Sequence, residues 1–567
     1  MKEEVKIGIF VAIFFIIVIG GSGFFLVLNP GPSYPIDFPV YTTVERTVIP
    51  VPVPATSPAL YPYQVANYTE YGYGAWQFGE GLKYERRLDL MPAGYPNTSG
   101  ASTTPLLRFF SMSDIHITDK ETPAQGIYAG YKGGNPSGYS PVMLSTTQVL
   151  DAAIQTVNAL HRQKRFDFGI GLGDAINNNQ YNELRWYIDV FDGKKINPDS
   201  GNKDDPVPGP LNDYQDEYKA AGLDKSIKWY QVLGNHDQFW MGANVPNDYL
   251  KQTLFSETIL NMGDNFFDPH VLDTRGFYMG SIDGRTKYGD VIGAGPEKDF
   301  ATPPKVLAAD PNRRAISRSE WMGEFFTTTS NPKGHGFNLS DVATGFACYS
   351  FEPREDVPIK VIVLDDTQRD TDPNIGPYMY GSLDTARYEW LVQELDKGQA
   401  EGKLMIIAAH LPIRNELPNS SKLWTPQSPV PEQKLVDKLQ TYPNLILWIA
   451  GHVHRNTVTA FPSPDPNRPE LGFWEVETAS LRDFPQQFRT FDIVRNSDNT
   501  ISIMATDVDP SVKEGSIAAQ SRSYAIATLQ TFNITPSRQQ SGSYNAELVK
   551  QLTPAMQEKI QKSGTPV

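Results

Sequence analysis

The sequence predicts an α/β fold with a second sheet, two large insertions and an N-terminal transmembrane helix. Three observations predict it. Short apolar runs alternate with segments of helical period from Leu106 to Ala450, the pattern of strands joined by helices. Five polar motifs sit at or near the carboxyl ends of those runs, where ligands gather in such folds. Three more alternating strands follow from Phe473, and they are expected to complete a second sheet.

The elements follow in chain order. Gly8 to Leu28 is an apolar run without a charge, and a spanning helix needs about 20 such residues. It is longer than the usual apolar part of a signal peptide and no Ala-x-Ala cleavage site follows, so residues 1–28 read as a signal anchor that stays uncleaved. Lys2 and Lys6 precede the run and no Lys or Arg follows until Arg46. The positive-inside rule then expects a cytoplasmic N-terminus and a body outside the cytoplasm, periplasmic or at the cell surface. Residues 29–104 are rich in Pro and Tyr and read as an extended stalk or strap.

The body is expected over 105–510. Its strands are Leu106 to Ile117, Phe166 to Leu172, Trp229 to Leu233, Lys360 to Leu364, Leu404 to Ala409 and Leu445 to Ala450, then Phe473 to Thr478, Phe488 to Val494 and Thr500 to Thr506. Its helices are Ser145 to Gln163, Tyr181 to Phe191, Leu383 to Leu395 and Glu432 to Leu439, by apolar periodicity. Residues 177–227 and 239–357 exceed ordinary loop length and read as insertions that flank or roof the strand ends. Residues 511–567 form a polar C-terminal extension with one helix expected at Ala546 to Gln561.

Composition narrows the chemistry. A net charge of −15 argues against a nucleic-acid-binding face, which needs a basic stripe. Cys348 is the only cysteine, so no intramolecular disulfide and no cysteine metal site is available. Carboxylates, amides and imidazoles remain. They concentrate in Asp114-Ile-His116, Gly173-Asp174, Gly234-Asn235-His236-Asp237, Ala409-His410 and Gly451-His452-Val453-His454, which hold five of the chain's eight histidines. Two Asp, one Asn and several His suit two metal ions that share a bridging carboxylate, an arrangement that drives hydrolysis at phosphorus. Hard oxygens with neutral imidazoles suit Fe, Mn or Zn.

These five motifs, in this order and each after an apolar strand, resemble the calcineurin-like metallophosphoesterase superfamily, in the manner of an exported, membrane-anchored subgroup. Gly381-Ser-Leu-Asp-Thr-Ala-Arg-Tyr-Glu-Trp390-Leu391 is similar to that family's segment before a helix. The resemblance spans about Pro105 to Thr506, insertions excepted. It implies two packed mixed β-sheets flanked by helices, a four-layer αββα sandwich. It implies that Asp114, His116 and His454 hold one divalent or trivalent metal ion, that Asn235, His410 and His452 hold a second, and that Asp174 bridges them. His236 is then left to contact phosphate or protonate the leaving alkoxide, with Asp237 orienting its ring.

The expected reaction is hydrolysis of a phosphomonoester or phosphodiester by metal-activated water, on a small-molecule substrate. A nucleotidase or pyrophosphohydrolase is the alternative enzyme. A non-catalytic cell-surface binding or scaffold module on the same fold is the alternative of another class. Arg414, just past His410, is a candidate phosphate contact. Asp365-Asp366 reads as a cap or loop pair with an outer-sphere role as alternative, and Asn177 to Asn179 as a polar loop that can support ligands. His161, His270 and His335 read as structural or solvated.

Overall fold

A computed structural model describes residues 35–96, 103–132, 135–263, 271–372, 377–414, 423–534 and 544–563. The expected anchor at 8–28 lies outside them. Among the described residues no helix is long and apolar enough to cross a membrane.

The chain is a mixed α/β fold of two packed sheets. Seven strands form the first, in the order Glu85–Arg87, Ala546–Lys550, Ile501–Val508, Phe488–Asn496, Thr103–Met112, Phe168–Gly171, Lys228–Gln231. Six form the second, in the order Tyr349–Phe351, Ile359–Val363, Leu404–Ala408, Leu445–Ala450, Phe473–Glu477, Thr457–Phe461. Three adjacent strands run parallel in the first sheet, Thr103–Met112, Phe168–Gly171 and Lys228–Gln231, and four in the second, Ile359–Val363, Leu404–Ala408, Leu445–Ala450 and Phe473–Glu477.

Parallel strands covered on both faces need continuous apolar runs. Leu445–Ala450, sequence Leu-Ile-Leu-Trp-Ile-Ala, is buried at every position. Its alternate side chains serve two layers. Ile446, Leu447 and Ile449 belong to the core between the sheets. Leu445, Trp448 and Ala450 pack outward with Leu391 and Leu395 of the Thr385–Ala400 helix. The central core is marked by Phe109, whose ring stacks on Phe168 and Phe491 at 4.7 Å each. Burying one such side chain contributes about 1.5–3 kcal/mol, so the layered core outweighs the strain found at the sheet ends. The Thr385–Ala400 helix starts where Asp384 accepts the Arg387 N–H at 2.8 Å.

Five expectations change. Phe473–Glu477 does not join the two strands after it; it pairs parallel with Leu445–Ala450, while Phe488–Asn496 crosses to Thr103–Met112. The strap contributes Glu85–Arg87 to the first sheet and so is part of the body. The C-terminal extension is too: its Ala546–Lys550 lies inside that sheet, beside Ile501–Val508. The helix expected over Ala546 to Gln561 is therefore a strand followed by the helix Pro554–Gln561, which begins at Pro554. Proline tolerates a first helical turn but not an interior. Finally, the second insertion ends in a sheet strand, Tyr349–Phe351, antiparallel to Ile359–Val363. The rest of that insertion has structure of its own, including a three-stranded sheet of Asn261–Met262, Phe277–Asp283 and Asp290–Pro296.

Candidate metal centre

The two parallel sets present their carboxyl ends to one region. From the first sheet come Asp114, Asp174 and Asn235, each a few residues past its strand; from the second come His410 and His452. Backbone bonds lock the loops together: Asp114 N–H to Gly173 O at 3.2 Å, His116 N–H to Asp174 O at 3.0 Å, and Gly451 N–H to His410 O at 2.9 Å. Gly451 allows the approach, because a Cβ there would stand 1.7 Å from Ser113 Oγ and 2.5 Å from Asp114 Oδ2.

Two groups of potential ligand atoms result, and a third, His116, Asp174 and His236, overlaps them. Asp114, His116 and His454 form one, and Asp174, His410 and His452 the other, the atoms of each group lying within 4.8 Å of one another. His116 Nε2 is 3.2 Å from His454 Nε2, which is 3.3 Å from Asp114 Oδ1. On the other side Asn235 Oδ1 is 2.8 Å from His410 Nε2 and 3.2 Å from His452 Nδ1. Asp174 Oδ2 lies between, 3.8 Å from His116 Nε2 and 3.4 Å from His410 Nε2.

The donor set fits a pair of cations. In each Asp one oxygen is spent on the backbone and the other faces inward. Asp114 Oδ2 accepts the His452 N–H at 2.8 Å, while Oδ1 is buried without a hydrogen-bond partner. Asp174 Oδ1 accepts the His236 N–H at 2.8 Å. His410 donates Nδ1–H to Leu172 O at 2.8 Å, which frees Nε2 to coordinate. Asn235 Nδ2 donates to Gly242 O at 2.9 Å, which aims its Oδ1 at the site. Burial disfavours charge on His410 and His454, yet Asp174 and Asp114 beside them push each imidazole up to about 10. Burial and the neighbouring His410 push His452 down to about 3. Burial and His236 likewise hold His116 well below the usual imidazole range. The carboxylates thus draw positive charge onto the imidazoles nearest them.

The backbone is strained at these residues. Asp114, His116, Asp174, His452 and His454 all have positive φ, from 47° to 73°. A left-handed non-glycine residue costs about 1–2 kcal/mol, and such strain collects at functional sites.

His236 sits at the rim with its ring centroid 4.4 Å from that of His116. Its Nδ1 is fixed by the carbonyl of Asn177 at 2.8 Å, and Asp237 does not orient it. Asp237 instead accepts N–H groups from Gly234 at 2.8 Å, Ala175 at 3.0 Å and Ile176 at 3.3 Å. It ties the Asp174 loop to the Asn235 loop. Arg414 is not brought to the cluster: its guanidinium bonds Glu432 and Gln433 on a side chain 42% exposed. Asp366 accepts the His410 N–H at 3.2 Å and so supports that loop, whereas Asp365 pairs with Arg318 and Arg387.

Sequence reasoning missed Arg482 and Asp483. Asp483 Oδ2 lies 2.6 Å from His454 Nδ1. Arg482 is buried and donates to Asn177 Oδ1 at 3.0 Å. Both follow the Phe473–Glu477 strand. Polar residues after an apolar strand were the available signal, hidden because that strand was assigned to the wrong sheet.

The fold and site together define a mixed α/β chain whose two sheets present paired metal-ligating groups at their carboxyl ends. No family model matches the chain, and no curated protein does. Among solved structures it is similar to a dimetal phosphatase from Danio rerio, at 11% identity over 72% of this chain and 100% of that one, with a TM-score of 0.37. It is also similar to a purple acid phosphatase from yellow lupin (Lupinus luteus) seeds, at 12% identity over 72% of this chain and 52% of that one, with a TM-score of 0.30.

Proposed function

We propose that this chain hydrolyses a phosphomonoester or phosphodiester at a two-metal centre. One observation carries the proposal: Asp174 Oδ2 stands between two sets of imidazole and oxygen donors, within 4 Å of a histidine in each. Asp114, His116 and His454 would hold one ion, Asn235, His410 and His452 the other, and Asp174 both. Two bound ions of the Fe, Mn or Zn type would supply charge to the ester's oxygens and make hydroxide available from water near neutral pH.

The chain's own residues do the remaining work. His236, anchored by Asn177 at Nδ1, presents Nε2 at the rim. Burial disfavours its charge, so it takes up a proton at Nε2 when an anionic ester faces it, and that proton bonds a phosphate oxygen or passes to the leaving alkoxide. Arg482 holds the Asn177 side chain and so steadies the carbonyl that fixes that ring. His236, His452 and His454 are the half-exposed members of the cluster, so substrate arrives from their side. The anchor expected at 8–28 and the lysines before it support a body held at a membrane and facing away from the cytoplasm.

The test is metal content and turnover of an aryl phosphate and a bis-aryl phosphate ester on one preparation. Two metal ions per chain with turnover that chelation abolishes is the expected result. Turnover undiminished in fully chelated protein would overturn the proposal.

A further inference from the structure

The first insertion contains a long loop whose strand pairing is confined to its base. At its base Lys195–Ile196 pairs with Tyr218–Lys219, two residues against two. Between them there is no further strand or helix. The loop nevertheless folds back on the chain that leaves the Asp114-x-His116 motif. There Asp199 and Asp204 meet Glu121, with one oxygen of each within 4.8 Å of the others.

Unpartnered buried atoms accumulate at this point. Both carboxylate oxygens of Asp204, Oδ1 of Asp199, and both amide atoms of Gln215 are buried without a hydrogen-bond partner. Gln215 is 2% exposed and directed into the same space. Its Nε2 and Glu121 Oε1 lie 2.4 and 2.3 Å from the place a Cβ on Gly284 would occupy. A buried polar atom without a partner keeps its full desolvation cost. A cation shared by the oxygens removes that cost, and leaves Gln215 Nε2 to donate to a carboxylate.

The charge is also one-sided. Lys120 is the nearby cation; its ammonium is bonded to Pro198 O and stands 3.9 Å from Glu121 Oε2. Asp199 and Asp204 set two carboxylates beside that ammonium, and Glu121 adds a third when a cation displaces its proton. Burial, reinforced by Asp119, Asp199 and Asp204 against Lys120, pushes Glu121 up to about 8. The neighbouring acidic group is different: Asp213 accepts the Gln215 N–H at 2.8 Å and Asp216 the Asn212 N–H at 2.5 Å, so its oxygens are already engaged.

We propose that Glu121, Asp199, Asp204 and Gln215 form a second cation site that takes Ca²⁺ and staples the 197–217 loop to the body. The donors are all hard oxygens, with no imidazole or thiolate among them, which disfavours Zn and Fe. They come from separate segments in irregular geometry, which Ca²⁺ accepts and Mg²⁺ does not. The Gln215 amide turns its carbonyl to the ion.

The experiment titrates the full chain with Ca²⁺ by calorimetry, with the metal content of the Asp174 centre measured separately. One additional Ca²⁺ per chain is expected. In D199N/D204N this Ca²⁺ is lost, while the metal content of the Asp174 centre stays at the parent's level. Limited proteolysis of the parent gives a readout independent of any variant: Ca²⁺ should slow cleavage within 197–217 at least tenfold. Absence of Ca²⁺ binding, unchanged cleavage, or unaltered Ca²⁺ stoichiometry in D199N/D204N each overturns the proposal. So does loss of the ion in D213N/D216N alone, or equal protection by Mg²⁺.

Discussion

The Nδ1 atom of His454 lies 2.6 Å from Oδ2 of Asp483, and its Nε2 lies 3.3 Å from Oδ1 of Asp114. One imidazole thus connects an outer carboxylate to an inner one. Such an outer partner fixes the ring and raises its basicity. Replacing Asp483 with Asn is expected to weaken one of two metal affinities about 10–100-fold. Stepwise chelation followed by metal analysis checks it, and two equally retained ions would count against the arrangement.

Asp174 and His236 are expected to separate binding from turnover. Asp174→Ala removes the oxygen between the two donor sets and should strip at least one metal ion. His236→Ala leaves Asp114, His116, His454, Asp174, Asn235, His410 and His452 in place and should retain both ions while lowering kcat about 10²–10⁴-fold. Elemental analysis alongside steady-state kinetics reads the two effects apart.

Asp237→Asn should act on the scaffold. The carboxylate accepts three backbone N–H groups from two loops. An amide turns a donor toward at least one of them, at about 1–3 kcal/mol. The expected outcome is a lower melting temperature and weaker metal retention, with the imidazole of His236 still held by Asn177. An unchanged melting temperature would show that these bonds contribute little.

Gly242→Ala should disable the Asn235 side of the site. Gly242 has φ of +68°, and a Cβ would stand 2.2 Å from His236 Cδ2 and 2.4 Å from Asn235 Nδ2. The carbonyl that aims Asn235 then has to move. Loss of one metal ion and of turnover is expected, measured as above.

His335 is a source of acid sensitivity away from the metal-ligating residues. His335 stacks on Trp229 with centroids 3.6 Å apart and bonds its carbonyl through Nδ1 at 2.9 Å. Burial pushes it down to about 4, against roughly 6.5 in an unfolded chain. The unfolded state therefore binds more protons between those values. Stability is full above about pH 6.5 and falls as the pH drops to about 4, by up to roughly 3 kcal/mol. His335→Asn, which tolerates the positive φ there, should flatten that slope in unfolding measured across the pH range. A slope identical to the parent's would exclude His335 as its source.

The sequence by itself determined the strands and the motifs that end them. Continuous apolar runs such as Leu445–Ala450 can only be buried on both faces, and a polar group directly after such a run has to emerge at its carboxyl end. Local chemistry sufficed there, because each motif lies within a few residues of the run that positions it. Tertiary structure decided the rest. Phe473–Glu477 and Ala546–Lys550 each had a plausible local reading, and only pairing with strands distant in sequence assigned them. The partner of His236 was decided the same way. Asp237 is its neighbour in sequence, yet the Asn177 carbonyl reaches its Nδ1, because adjacent side chains diverge wherever the backbone turns. Asp483 and Gln215 were silent for the same reason: a polar residue in a loop acquires its role only from what the folded chain brings against it.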